Sequence, residues 1–94
     1  MKVYLSKSNR KNKKFSVLIG HKKIDFGDDR YEDYTQHGDP KRKALYIQRH
    51  KKNENWNDPL TAGFWSYHLL WTKPTIEEAK KHIYSKFGIK VLSV

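Results

Sequence analysis

Apolar and polar residues alternate at the start of the chain, Val3 and Leu5 against Lys2 and Tyr4, and this period of two predicts a strand over MKVYLS. Phe15 to Ile19 reads as a second strand and Lys23 to Phe26 as a third. Gly20-His21-Lys22 between them is a tight turn, so the two form a hairpin. Beyond residue 39 the period lengthens to that of helices. Asp39 is an N-cap with Pro40 at the first helical position, and the helix over 39–52 turns Ala44, Leu45 and Ile47 towards a core. Arg42, Lys43, Tyr46, Arg49 and His50 share its other side. The stretch 61–71, TAGFWSYHLLW, carries no charge and is apolar all round, which predicts a buried central helix. Thr61 caps it, and Gly63 admits a close backbone. Thr75-Ile-Glu-Glu78 reads as a capping box before an amphipathic helix over 75–87, striped by Ile76, Ala79, Ile83 and Phe87, paired outside through Glu77 and Lys81, and ended by Gly88. Ile89 to Val94 alternates again and is a candidate edge strand.

Other stretches lack a period. Residues 6–14, SKSNRKNKK, read as a mobile basic loop, and Asp28 to Gly38 receives no regular structure. Trp56 is expected to fold back onto the core. An isolated hairpin is marginal without a covering layer. The pattern therefore predicts an α+β fold over 1–94: one domain, with a small antiparallel sheet of three to four strands packed with three helices, the middle helix buried.

Hydrophobic residues make up only 36% of the chain, so its core depends on large side chains, and the 14% of aromatics supply them. The absence of cysteine excludes disulfides and thiolate metal sites and leads us to expect a reducing setting. No apolar run approaches membrane length, and we expect a soluble cytosolic, nuclear or virion-interior protein with no membrane contact.

The net charge of +10 changes the picture most. Between Met1 and Ile24, and again between Pro40 and Asn53, every charged residue is Lys or Arg, while Asp25, Asp28, Asp29, Glu32, Asp33 and Asp39 cluster in between. Such blocks neutralise phosphates and release counterions, which gives sequence-independent affinity for nucleic acid. The candidate contacts are Lys7, Arg10, Lys11, Lys13 and Lys14 in the first block and Arg42, Lys43, Tyr46, Arg49, His50, Lys51 and Lys52 in the second. A solvated basic face is the plainer alternative. The acidic cluster has the residue types of a Mg²⁺ site, as in a metal-dependent nuclease, but its spacing matches no metal loop; a solvated loop offsetting basic neighbours is the favoured reading. The histidines form no H-x-x-x-H, His68 reads as a hydrogen-bonded core residue, and the tryptophans read as core. No nucleophile elbow or phosphate-binding glycine loop is present, so no enzyme, metal or cofactor is expected.

The run from Asp39 to Trp71, DPKRKALYIQRHKKNENWNDPLTAGFWSYHLLW, followed by KPT at 73–75, resembles a family of small basic proteins of nucleocytoplasmic large DNA viruses, the giant viruses. MKVYL at the start and IDFG at 24–27 share the likeness. The chain departs from that pattern at Tyr67, where the family carries Arg, and at Lys41, where it carries an acid. The resemblance implies a viral protein of the virion core, present in the host cytoplasm or viral factory during infection, and it transfers no catalytic activity. Charge and resemblance together lead us to expect a non-enzymatic, largely sequence-independent binder of double-stranded DNA that helps condense a viral genome, with self-association through acidic and basic surfaces. A basic face docking on an acidic protein partner is the alternative.

Overall fold

The computed structural model describes residues 1–94 as an α+β fold. Its strands are β1 (Lys2–Lys7), β2 (Lys13–Ile19), β3 (Lys22–Asp28) and β4 (Lys90–Ser93). Its helices are α1 (Tyr34–His37), α2 (Pro40–His50), α3 (Ala62–Trp65) and α4 (Ile76–Phe87). The sheet order is β3-β2-β1-β4. β1, β2 and β3 pair antiparallel as the hairpin signals predict, while β4 joins β1 in parallel, Val3 opposite Val91, and makes the sheet mixed.

Alternation along the strands sends Val3, Leu5, Val17, Ile24 and Phe26 into one core with Phe64, Trp65, Leu69, Leu70, Ala79 and Ile83. The central segment is buried as expected, yet only its first turn is α-helical. From Ser66 to Trp71 it is a π-helix. Bonding from i to i+5 places Trp71 one turn on from Ser66, and a π turn of this kind often marks a functional site. Gly27, at φ 79°, lets this segment close on the sheet: a Cβ there would lie 2.9 Å from Leu70 Cδ1. Its N–H donates to Ser66 Oγ at 3.2 Å.

Several local expectations need correction. The basic stretch 6–14 is a hairpin loop from Ser8 to Asn12, while Ser6 and Lys7 end β1 and Lys13 and Lys14 open β2. Ser8 N–H donates to the Lys14 carbonyl across it at 3.1 Å, and Asn12 takes the left-handed φ of 65° that closes it. The acidic segment holds α1, nucleated by a full capping box between Asp33 and Gln36 and ended at Gly38. At α4, Thr75 does accept from Glu78 N–H at 3.1 Å, but Glu77 pairs with Lys80 rather than Lys81. Gly63 admits a side chain instead of a backbone: a Cβ there would lie 1.7 Å from Glu54 Oε2.

Candidate nucleic-acid interface

The largest correction concerns α2, which has no buried residue. Asp39 caps it by accepting from Lys41 N–H at 2.9 Å, with Pro40 in the first turn as predicted. Its inner face, however, is shifted round the helix: Ile47 faces inward and Arg42 and Arg49 outward as expected, but the other positions differ. Ala44 and Leu45 are exposed, and Lys43, Tyr46, Ile47 and His50 form the inner face. The Tyr46 ring stacks on Trp71 with centroids 4.2 Å apart and planes 7° apart, and His50 stacks on its far side at 4.2 Å. A tyrosine ring carries more apolar area than alanine, and the π turn presents the indole face it needs. Burial, with Glu54 and Tyr67 adding to it, pushes the Tyr46 hydroxyl well above the usual phenol range. Lys43 Nζ donates to the Thr72 carbonyl at 2.9 Å and lies over the Tyr34 ring. Two of the predicted phosphate contacts, Lys43 and Tyr46, therefore hold α2 in place, and His50 backs the Tyr46 ring.

The hairpin loop is tied to the acidic segment. Asp29 N–H donates to the Asn12 carbonyl at 3.2 Å, and Ser8 Oγ donates to Asp25 Oδ1 at 2.6 Å. That bond, partly opposed by burial, holds the Asp25 carboxyl below its usual range. Lys14 Nζ donates to Asp33 Oδ2 at 2.6 Å and to Gln36 Oε1 at 2.7 Å, with 12% of the lysine and 4% of the aspartate side chain exposed. This ion pair is largely buried, and it engages the Lys14 ammonium internally. Asp28 is fixed by Arg30, whose side-chain and backbone N–H groups donate to it and bring its carboxyl down to about 2. Glu32 pairs with Arg42 at 3.3 Å. The carboxylates of Asp25, Asp28, Glu32 and Asp33 thus answer different donors, and no group of His, Asp and Glu converges as a metal cluster would require. Nor do the acids form a face of their own: they lie between the two basic blocks.

The blocks nonetheless meet. Lys13 and Lys14 from the hairpin and Arg42, Arg49 and His50 from α2 line one cleft of about 640 Å³, floored by Ser66, Leu70 and Trp71 of the π-helix. Within it Lys14 and Arg42 are paired, His50 Nδ1 lies 3.8 Å from Glu54, and Lys13 and Arg49 have no carboxylate within 4 Å. Lys7, Arg10, Lys11, Lys51 and Lys52 are not among its lining residues; they are exposed, with no carboxylate within 4 Å. Lys41, not among the contacts expected from the sequence, is also exposed on α2; its place beside the N-cap in an unbroken basic run is the signal that marks it. Tyr31, 68% exposed, lines the cleft as well.

Trp56, Trp65 and His68 are structural. Trp65 is fully buried and donates to the Pro59 carbonyl at 2.7 Å, while Trp56 stacks on Tyr67 at 3.8 Å. His68 Nε2 donates to the Trp56 carbonyl at 2.7 Å, which leaves Nδ1 as an acceptor facing His82 Nε2 at 3.3 Å. Burial brings His68 down to about 4, against a raising effect of the Trp56 bond.

Compared with known proteins, residues 3–50 match the model of a family of unknown function, DUF5754. The match spans the three antiparallel strands, the acidic segment and α2, so it contains both basic blocks up to His50. Neither a curated protein nor a solved structure matches the chain.

Proposed function

The chain belongs to DUF5754, whose model covers just over half of it, and we propose that this member is a largely sequence-independent binder of double-stranded DNA that helps condense or package a viral genome. The observation that carries the reading is the meeting of the hairpin and α2 cations at one cleft, with Lys13 and Arg49 inside it free of carboxylates. The β1–β2 hairpin also carries Lys7, Arg10 and Lys11, and the end of α2 runs into Lys51 and Lys52, all exposed. α2 stands proud of the core, and a helix fits the major groove of a duplex. Its outward residues are Lys41, Arg42, Ala44, Leu45, Gln48 and Arg49, and outside the phosphate-binding cations only Gln48 has base-reading chemistry, which favours backbone over base recognition. The resemblance of 39–71 to small basic proteins of giant viruses supports a viral setting and the virion core as its place. Anisotropy with unrelated duplexes tests the reading: affinities should agree within severalfold, and Arg49→Gln with Lys52→Gln should weaken all of them alike.

One observation favours a second reading, docking on an acidic protein. Leu45, 47% exposed, and Tyr31 put apolar surface among the cleft's cations. Excess unrelated DNA separates the two, because a specific protein partner would survive that competition.

A further inference from the structure

The helical segments that meet the sheet, α3, the π-helix and α4, pack on the face that carries Val3, Leu5, Val17, Ile24 and Phe26. On the opposite face the register sets Leu92, Tyr4, Leu18 and Lys23 in one row across β4, β1, β2 and β3, and Lys90 beside Lys2 in the next. Tyr4 is 42% exposed between buried Val3 and Leu5, and Leu18 is 43% exposed beside buried Val17. Lys2, Lys23 and Lys90 are exposed and none is within 4 Å of a carboxylate; Lys23 makes one hydrogen bond, to Asn9 Oδ1 at 3.2 Å. The one acid on this face, Asp25, is engaged by Ser8. The cleft's cations are interleaved with Asp28, Glu32 and Asp33, so this face is the less compensated of the two surfaces.

We infer that the open sheet face binds single-stranded nucleic acid, one base lying on Tyr4 between Leu18 and Leu92, with the flanking phosphates on Lys2, Lys90 and Lys23. The inference rests on the nucleic-acid reading above and adds to it a second site with a different strand preference. A base within a duplex has no free face to offer a ring on a sheet, whereas an unpaired one stacks there whatever its identity. Strand spacing puts Lys23 about 10 Å and Lys2 about 7 Å from Tyr4, within reach of neighbouring nucleotides. A second copy of the chain is the poorer occupant, because Lys2, Lys23 and Lys90 would face like charges. With duplex held at the cleft, a strand on the sheet makes each molecule a bridge, which condensation requires.

The test uses a short labelled oligothymidine and a duplex of equal length, with Tyr4→Leu, a Lys2→Gln/Lys23→Gln/Lys90→Gln variant and an Arg49→Gln/Lys51→Gln/Lys52→Gln variant, all at surface positions and checked for unchanged circular dichroism. Tyr4→Leu should weaken oligothymidine binding about 5- to 100-fold and leave duplex binding within about twofold. The sheet lysine variant should flatten the single-strand salt slope by about 2, and the α2 variant should act chiefly on the duplex. Oligothymidine affinity unchanged in Tyr4→Leu, with duplex binding intact, overturns the sheet site alone. No binding of either nucleic acid by the parent chain overturns both readings. Self-association lost in Tyr4→Leu while oligothymidine affinity stays unchanged makes a second copy the occupant and overturns the inference.

Discussion

Replacing Tyr46 with alanine should release α2 from the body of the protein. The helix buries no residue completely and rests on the Tyr46 ring between Trp71 and His50, with Lys43 reaching the Thr72 carbonyl. Removing a half-buried ring exposes about 100 Å² of apolar surface, worth about 2.5 kcal/mol at ~25 cal/mol per Å². Loss of stacking on Trp71 adds about 0.5–1.5 kcal/mol, giving a total near 3–4 kcal/mol. An isolated helix of 11 residues is marginal in water, so α2 should melt once detached. Urea denaturation followed by far-ultraviolet circular dichroism reads the loss, and limited trypsin digestion reads the release through faster cleavage after Arg42 and Arg49. Tyr46→Phe should behave as the parent, because burial and charge, not a hydrogen bond, govern the hydroxyl. Tyr46→Ala within 0.5 kcal/mol of the parent, with unchanged digestion, would refute the aromatic clamp.

Lys14→Met should cost about 3 kcal/mol in chemical denaturation, because it strands the buried Asp33 carboxylate, whereas Arg42→Met, at a pair 45% and 60% exposed, should cost under about 1 kcal/mol. His68 is about 4 in the folded chain against an ordinary 6.5, so folding resists its protonation. Its contribution is whole above pH 6.5 and is lost as pH falls towards 4, by up to about 3 kcal/mol, and His82 shifts in the same direction. Denaturation at pH 7 and pH 4.5 should show this loss in the parent and a smaller one in His68→Gln; equal losses would contradict it.

The strands, the buried central segment and the start of α2 were legible because their signals are local: alternation, Asp39-Pro40 and an uncharged aromatic run. The inner face of α2 was not, since Lys43, Tyr46 and His50 count as polar while their stems and rings do the packing. That face is chosen by Trp71, far along the chain and turned by a π-helix that no local pattern announces. The short α1 was legible in principle, as Asp33-x-x-Gln36 followed by Gly38, and was missed because acidity drew the eye to solvent. Charge blocks told where cations are dense. They did not tell which would be spent inside, as Lys14 is on Asp33, or that Lys2, Lys23 and Lys90 would share an open sheet face.

Salt dependence of duplex binding tests the proposal most directly. The full sequence-derived set predicts about 6–10 phosphate contacts and a 10³–10⁵-fold loss of affinity between 50 and 200 mM salt. With Lys14, Lys43 and Tyr46 engaged internally, roughly four to seven contacts remain, and the loss should be about 10²–10⁴-fold. Anisotropy across that range, on duplexes of unrelated sequence, should give one common slope of about −4 to −6. A flat response, or a slope carried by one sequence alone, would contradict backbone binding by the hairpin and α2.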